Sequence, residues 1–168
     1  MVKSGALWRQ MSLQTYHIME QESTKPTIYS GTFERSLDAK NRVAIPSGWV
    51  SGEGEEFFVI PHPTEGYLMV MPTEEFHRTE QRIQQSEATP ANKRKMSRKF
   101  FGASRKVTTD KQGRVLLHDE HCVGAGLKDG AVFIGTGSRF EIWAKARHEV
   151  TAAEDEEIYQ QMAEAIGL

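Results

Sequence analysis

Part of this 168-residue chain is written twice, and that repeat constrains its fold more than any other feature. Asp38-Ala39-Lys40-Asn41-Arg42-Val43-Ala44-Ile45-Pro46 aligns with Asp110-Lys111-Gln112-Gly113-Arg114-Val115-Leu116-Leu117-His118 at an offset of 72. Asp, Arg and Val coincide, and apolar residues follow in both copies. Further along, Tyr67-Leu68-Met69-Val70-Met71 resembles Phe140-Glu141-Ile142-Trp143-Ala144, read here at an offset of 73. Each copy reads as a turn, a strand, a loop, a second strand and a helix start. Two copies of about 70 residues are too few for a solenoid. They suit a duplicated module with pseudo-two-fold symmetry.

Turn chemistry explains the Asp-x-x-x-Arg spacing. An Asp carboxylate caps a tight turn by accepting N–H bonds from residues just ahead of it. The turn's last position is Asn41 in one copy and Gly113 in the other, the residue types that best tolerate positive φ. Asp38, Asn41, Asp110 and Gly113 are therefore read as turn-shaping. A β-branched run follows in the first copy, Val43 and Ile45, which signals a strand. Strand alternation turns Arg42 and Arg114 away from Val43 and Val115, toward solvent. Arginines so placed suit phosphate or guanine recognition.

The net charge of −2 hides an uneven distribution. Residues 51–75 carry six acids and no Lys or Arg, and residues 149–168 do the same. Residues 78–106 hold nine basic residues against Glu80 and Glu87. A block of that sign attracts polyanions, or it is a solvated helix face. No apolar run approaches the ~20 residues of a membrane helix. The single cysteine, Cys122, excludes an internal disulfide framework and fits a reducing compartment. The first residues contain no continuous apolar signal region.

Catalytic and cofactor chemistry finds little support. His118-x-x-His121-Cys122 lacks zinc-site spacing, and capping or surface histidines are the better reading. Adjacent Cys122 and His121 on one short element cannot face each other as nucleophile and base. Gly135-Thr136-Gly137-Ser138 lies between apolar runs and reads as a hairpin turn. Phe140, Ile142 and Trp143 read as core or subunit interface. No catalytic residue, metal site or cofactor is expected.

Along the chain, residues 1–27 read as a poorly ordered extension with a short helix near Leu7–Met19. Strands are expected near 30–35, 42–45, 57–61 and 66–71 in the first half. In the second they are expected near 104–108, 114–117, 131–136 and 139–143. Thr73 reads as the cap of a helix running past Gln85. Thr89-Pro90 opens a second helix, which carries the basic cluster Lys93–Lys99. A short helix over 119–126 ends on glycine, and an amphipathic helix covers Glu154–Ile166.

Gly31-Thr32, Leu37 to Pro46, Asp110-x-x-Gly113-Arg114-Val115-Leu116-Leu117 and Arg139-Phe140-Glu141-Ile142-Trp143 together resemble the MraZ family over about residues 28–150. The family usually has Gly where this chain has Asn41. The resemblance implies an α+β fold of tandem AbrB-like swapped-hairpin β-barrel halves with flanking helices. It divides the chain into an extension (1–27), a first half (28–100), a second half (101–150) and an acidic C-terminal helix (151–168). It also implies a ring-shaped homo-oligomer that binds double-stranded DNA at promoter direct repeats and regulates its own division and cell wall gene cluster. Such a protein is cytoplasmic and nucleoid-associated, with no membrane partner. Lys40, Arg42, Lys111 and Arg114 are the expected DNA contacts, with Arg35, Arg105 and Lys106 as flanking phosphate anchors. The alternative is an antitoxin-like module that binds a protein.

Overall fold

The structure, a computed structural model, describes residues 27–168, so the extension before Thr27 and its expected short helix lie outside the described residues. The first half runs β1 (Thr32–Ser36), β2 (Arg42–Ala44), a 3-10 turn (Ser47–Trp49), β3 (Glu56–Pro61), β4 (Leu68–Pro72) and helix α1 (Thr73–Gln85). Helix α2 (Pro90–Ala103) leads to β5 (Arg105–Thr108), β6 (Arg114–Leu116), α3 (Asp119–Ala125), β7 (Gly130–Gly135), β8 (Phe140–Trp143) and α4 (Lys145–Ile166). This is a mixed α+β fold of antiparallel sheets and four described helices.

One sheet has six strands in the order β1-β7-β8-β4-β3-β5, and the other is the two-stranded ribbon β2-β6. The larger order is a palindrome under exchange of the halves. β1 pairs with the second half's hairpin at β7, and β5 pairs with the first half's hairpin at β3. Each half therefore closes a sheet edge of the other, which satisfies backbone groups that an open edge would expose.

The approximate dyad can be located from register. Val43 lies opposite Val115 in the ribbon, and Met69 lies opposite Glu141 where β4 meets β8. Both pairs are 72 residues apart. The second repeat block is thus related at 72, not at the 73 read from sequence. The β3–β4 connection (62–67) is two residues longer than the β7–β8 connection (136–139), so apolar matching slid by one.

Strand alternation builds two cores. Phe57, Val59, Leu68, Val70, Phe133, Phe140 and Ile142 point to one side of the large sheet, where the ribbon's Val43, Val115 and Leu117 cover them. Ile60, Met69, Met71, Val132 and Trp143 point to the other, against Phe76 and Ile83 of α1 and Phe100 of α2. Burial on both faces gives the central strands continuous apolar runs instead of alternation. The ribbon is buried on one face only.

Helix ends differ in part from expectation. Thr73 makes no side-chain cap; the flanking residue is Pro72, and Glu74 and Glu75 supply the acids of the first turn. Thr89 does cap α2, accepting from Asn92 N at 3.3 Å, with Pro90 in the first turn. Gly126 ends α3 in a left-handed conformation. The last helix begins at Lys145, well before Glu154, where its apolar stripe becomes legible.

Asn41 has φ 58° and Gly113 φ 69°. Gly113→Val should therefore cost about 1–3 kcal/mol through backbone strain, since a Cβ there meets only Val50 Cγ2 at 3.6 Å. Asn41→Gly keeps the turn and should shift stability far less. Thermal unfolding of both variants checks this; equal destabilisation would show that the turns are not equivalent.

Candidate nucleic-acid interface

The two Asp-x-x-x-Arg segments fold into the same object. In the first, Asp38 Oδ1 accepts from Lys40 N at 2.8 Å and Arg42 N at 3.0 Å, while Oδ2 accepts from Arg42 Nε at 2.7 Å. In the second, Asp110 Oδ1 accepts from Gln112 N and Arg114 N, both at 2.9 Å, and Oδ2 from Arg114 Nε at 2.9 Å. Backbone bonds match as well: Asn41 N donates to Asp38 O and Gly113 N to Asp110 O. Across the ribbon, Leu117 N donates to Asn41 O and Ile45 N to Gly113 O, so each turn is anchored by the other half.

These bonds set the charge state of the turns. Backbone N–H donors from Arg42 and Lys40, together with the Arg42 guanidinium, hold the Asp38 carboxyl down at about 2. The Asp110 carboxyl is lowered in the same way, chiefly by the Arg114 N–H. Both carboxylates stay ionised and both arginines stay braced.

Val43 and Val115 face the core, so Arg42, Ala44, Arg114 and Leu116 share the ribbon's outer face. Arg42 lies opposite Leu116 and Arg114 opposite Ala44, which makes the arginines diagonal neighbours about 7–8 Å apart. Their side chains are 39% and 31% exposed. They are thus held against their own turns, not free-standing as alternation alone suggested. Lys40 and Lys111 sit exposed at the turn tips.

The remaining three residues lie elsewhere. Arg35 is on the edge strand β1, its Nη1 donating to Glu34 O and its guanidinium 5.4 Å from the Phe33 ring centre. Arg105 and Lys106 are on β5 at the opposite edge. Arg105 donates to Gly102 O and Ser104 O and lies 3.8 Å from Glu120, and Lys106 pairs with Glu56 at 2.6 Å. The ribbon brings four of the seven together.

Two site features escape sequence reading. Leu116 is 59% exposed on the outer face, directly opposite Arg42; its position between buried Val115 and Leu117 was the available signal. Asn41 Nδ2 donates to Asp119 Oδ1 at 2.6 Å, which sets an acid beside the first turn. The equivalent neighbour of Gly113, 72 residues earlier, is Ser47. The halves are therefore electrostatically unequal.

His121 is buried rather than at the surface. Its Nε2 lies 2.9 Å from Ala103 O, so it ties α3 to the end of α2, and burial lowers its basicity. Cys122 beside it is buried too. Among the described residues, no group of three or more His, Cys, Asp or Glu is placed to hold a metal ion.

A duplicated α+β protein with two braced arginine turns on one exposed ribbon is the class these features define. Residues 28–99 and 100–167 each match the family described as "MraZ protein, putative antitoxin-like". A protein of Pediococcus pentosaceus named transcriptional regulator MraZ is 34% identical over 137 residues, spanning 82% of this chain and 95% of its own. Proteins of the same name from Desulforamulus reducens and Lachnoclostridium phytofermentans are 31% and 34% identical, covering 83% and 82% of this chain and 97% and 96% of their own. The chain belongs to the MraZ family.

The turn carboxylates make acid sensitivity predictable. Their acidity is higher folded than unfolded, so they stabilise the fold above the unfolded value of 3.8, and that contribution is lost as pH falls toward about 2. Acid titration of the folded chain should show a loss in this window. The Asp38→Asn, Asp110→Asn double variant should show a flatter profile there, and an unchanged profile would mean the braces do not act on stability.

Proposed function

We propose that the chain is a DNA-binding transcriptional regulator, a repressor that binds direct repeats in the promoter of its own division and cell wall gene cluster. The observation that carries this reading is the pair of matching braced turns at diagonal ends of one exposed ribbon. A two-stranded ribbon fits the major groove of B-DNA. Arginines about 7–8 Å apart span roughly two base-pair steps. The name shared by the relatives supports the same reading. The reciprocal exchange of β1 and β5 favours assigning the halves to the AbrB-like swapped-hairpin type, divided near residue 100. The active form is a homo-oligomer, a ring in which several ribbons engage successive repeats. A regulator of this kind works in the cytoplasm, associated with the nucleoid; no described helix is long and apolar enough to cross a membrane.

The Asp brace assigns different work to arginine and lysine. Arg42 gives its Nε–H to Asp38 and keeps its Nη donors, as a fork whose orientation is fixed before binding. Its charge is offset by the neighbouring carboxylate, so long-range attraction falls to Lys40 and Lys111. Arg35, Arg105 and Lys106 contribute phosphate contacts at the flanks. The antitoxin-like alternative is favoured by the family's description and by an apolar groove on the far side of the sheet.

Binding to the DNA upstream of the chain's own gene, measured at two salt concentrations, tests the reading. Arg42→Ala and Arg114→Ala should each cost about 1–3 kcal/mol per guanine contact and abolish specificity with the oligomer intact. Lys40→Ala and Lys111→Ala should weaken all sequences alike and lower the salt slope by about one per phosphate contact. Parent-like binding by both arginine variants would refute the ribbon as the DNA face.

The acid beside the first turn adds a sharper expectation. Asp119→Asn keeps an acceptor for Asn41 and removes a negative charge from the DNA side, so it should tighten binding, more at low salt than at high. Unchanged or weaker binding would mean that the first turn does not approach phosphate.

A further inference from the structure

Among the described residues, two surfaces are uncovered and complementary. No residue of α4 is buried. Its first turns are tied to the body by Arg147, which donates to Gly66 O at 2.6 Å, and by Lys145, 3.1 Å from Glu34. Beyond Thr151 its side-chain hydrogen bonds stay within the helix. There Ile158, Tyr159, Met162 and Ile166 form one stripe at helical spacing, each more than half exposed. Around them the helix is acidic, with no Lys or Arg from residue 149 onward.

The second surface is a groove of about 970 Å³ on the helical side of the large sheet. Ile60, Met71 and Phe100 form its floor, and Met96, 50% exposed, stands at its rim with Lys99 and Arg139. The one carboxylate in its wall, buried Glu75, is already neutralised by Arg82 at 2.6 Å and Arg78 at 3.5 Å. Lys99 and Arg139 make no ion pair among the described residues, so the groove presents positive charge around an apolar floor. None of its lining comes from α4.

The repeat sharpens the contrast. α1 and α4 start 72 residues apart, each directly after the second strand of its hairpin. α1 is packed by α2 and buries Phe76 and Ile83. In α4 the equivalent positions are His148 and Asp155, and no described helix packs on it. We propose that the acidic C-terminal helix of one copy docks its Ile158–Ile166 stripe in the α1–α2 groove of a second copy. This rests on the oligomeric part of the function proposed above and names its interface. Helix and groove are different surfaces, so each copy donates one helix and receives another, either reciprocally within a pair or head-to-tail in a ring or filament.

Complementation tests this without DNA. Met162→Asp spoils the helix and Met96→Asp spoils the groove; both positions are exposed, and circular dichroism confirms that each variant folds. Light scattering on the parent should give a multiple of the 19.0 kDa chain, and either variant alone should give the single chain. An equimolar mixture should give twice the single-chain mass, because only one intact helix and one intact groove remain per pair. Parent-sized assembly by either variant, or a mixture that stays at the single-chain mass, would overturn the proposal while leaving another oligomer open. A monomeric parent would overturn it together with the ring. A monomeric parent destabilised by Met162→Asp would place the helix in its own groove. DNA binding by the separated variants is scored independently, so loss of the interface is not confused with loss of the DNA-binding reading.

Discussion

The structure depends on a reciprocal exchange: neither half completes its own sheet. β1 is held only by β7, and β5 only by β3, so each half's first strand is the other half's edge. Three-residue β2 and β6 could not stand alone, because a short two-stranded ribbon is marginal in water. They persist because the exchange sets the two strands side by side, where Val43 and Val115 meet on the dyad and bury against the sheet. Separating the halves would break three strand pairings of the large sheet, β1–β7, β8–β4 and β3–β5, and dissolve the ribbon at once. The outer face with its arginines is therefore a property of the whole interlocked unit.

An acidic residue in the middle of the surface proposed to bind DNA looks self-defeating until its bonds are counted. Each Asp satisfies two backbone N–H groups at a turn that has no other partner for them, and it fixes the arginine that follows. Leaving those donors unmet, or an arginine free to wander, costs more than the attraction lost to one carboxylate on a surface washed by salt. Much of the entropy of ordering the guanidinium is thereby spent at folding instead of at binding. Lysines at the turn tips, with no such constraint, remain available for the salt-dependent part of the attraction.

The turns were legible in sequence because their chemistry is local: one carboxylate, a left-handed position and an arginine within five residues. The order of strands and helices was legible for the same reason, through Thr89-Pro90, Gly126 and the hairpin glycines. The register of the second block was not. Leu68–Met71 and Phe140–Trp143 are buried on both faces, so their apolar runs carry no period-2 phase, and a one-residue slide goes unnoticed. The start of α4 was hidden because Lys145–Val150 has no apolar stripe. The Asn41–Asp119 bond joins residues 78 apart and leaves no trace in either segment. Leu116 could have been found, since strand alternation between two core residues pushes it outward.

The departures from two-fold symmetry are as informative as the symmetry. A perfectly duplicated chain would present every surface twice about its own dyad, with the same helix covered on both sides and nothing left unmatched. Here the ribbon ends differ, with Asn41 and Asp119 at one and Gly113 and Ser47 at the other. The helices differ more, since α1 lies under α2 while α4 stands bare. An internal dyad has already satisfied the self-complementary contacts, so further association through it is closed. What remains are single copies of unlike surfaces, an acidic stripe and a basic-rimmed groove, which pair between copies by reciprocal exchange or head to tail. On the proposed docking, divergence of the second helix from the first makes the pseudo-dimer a unit able to associate further, with its ribbon repeated in each copy.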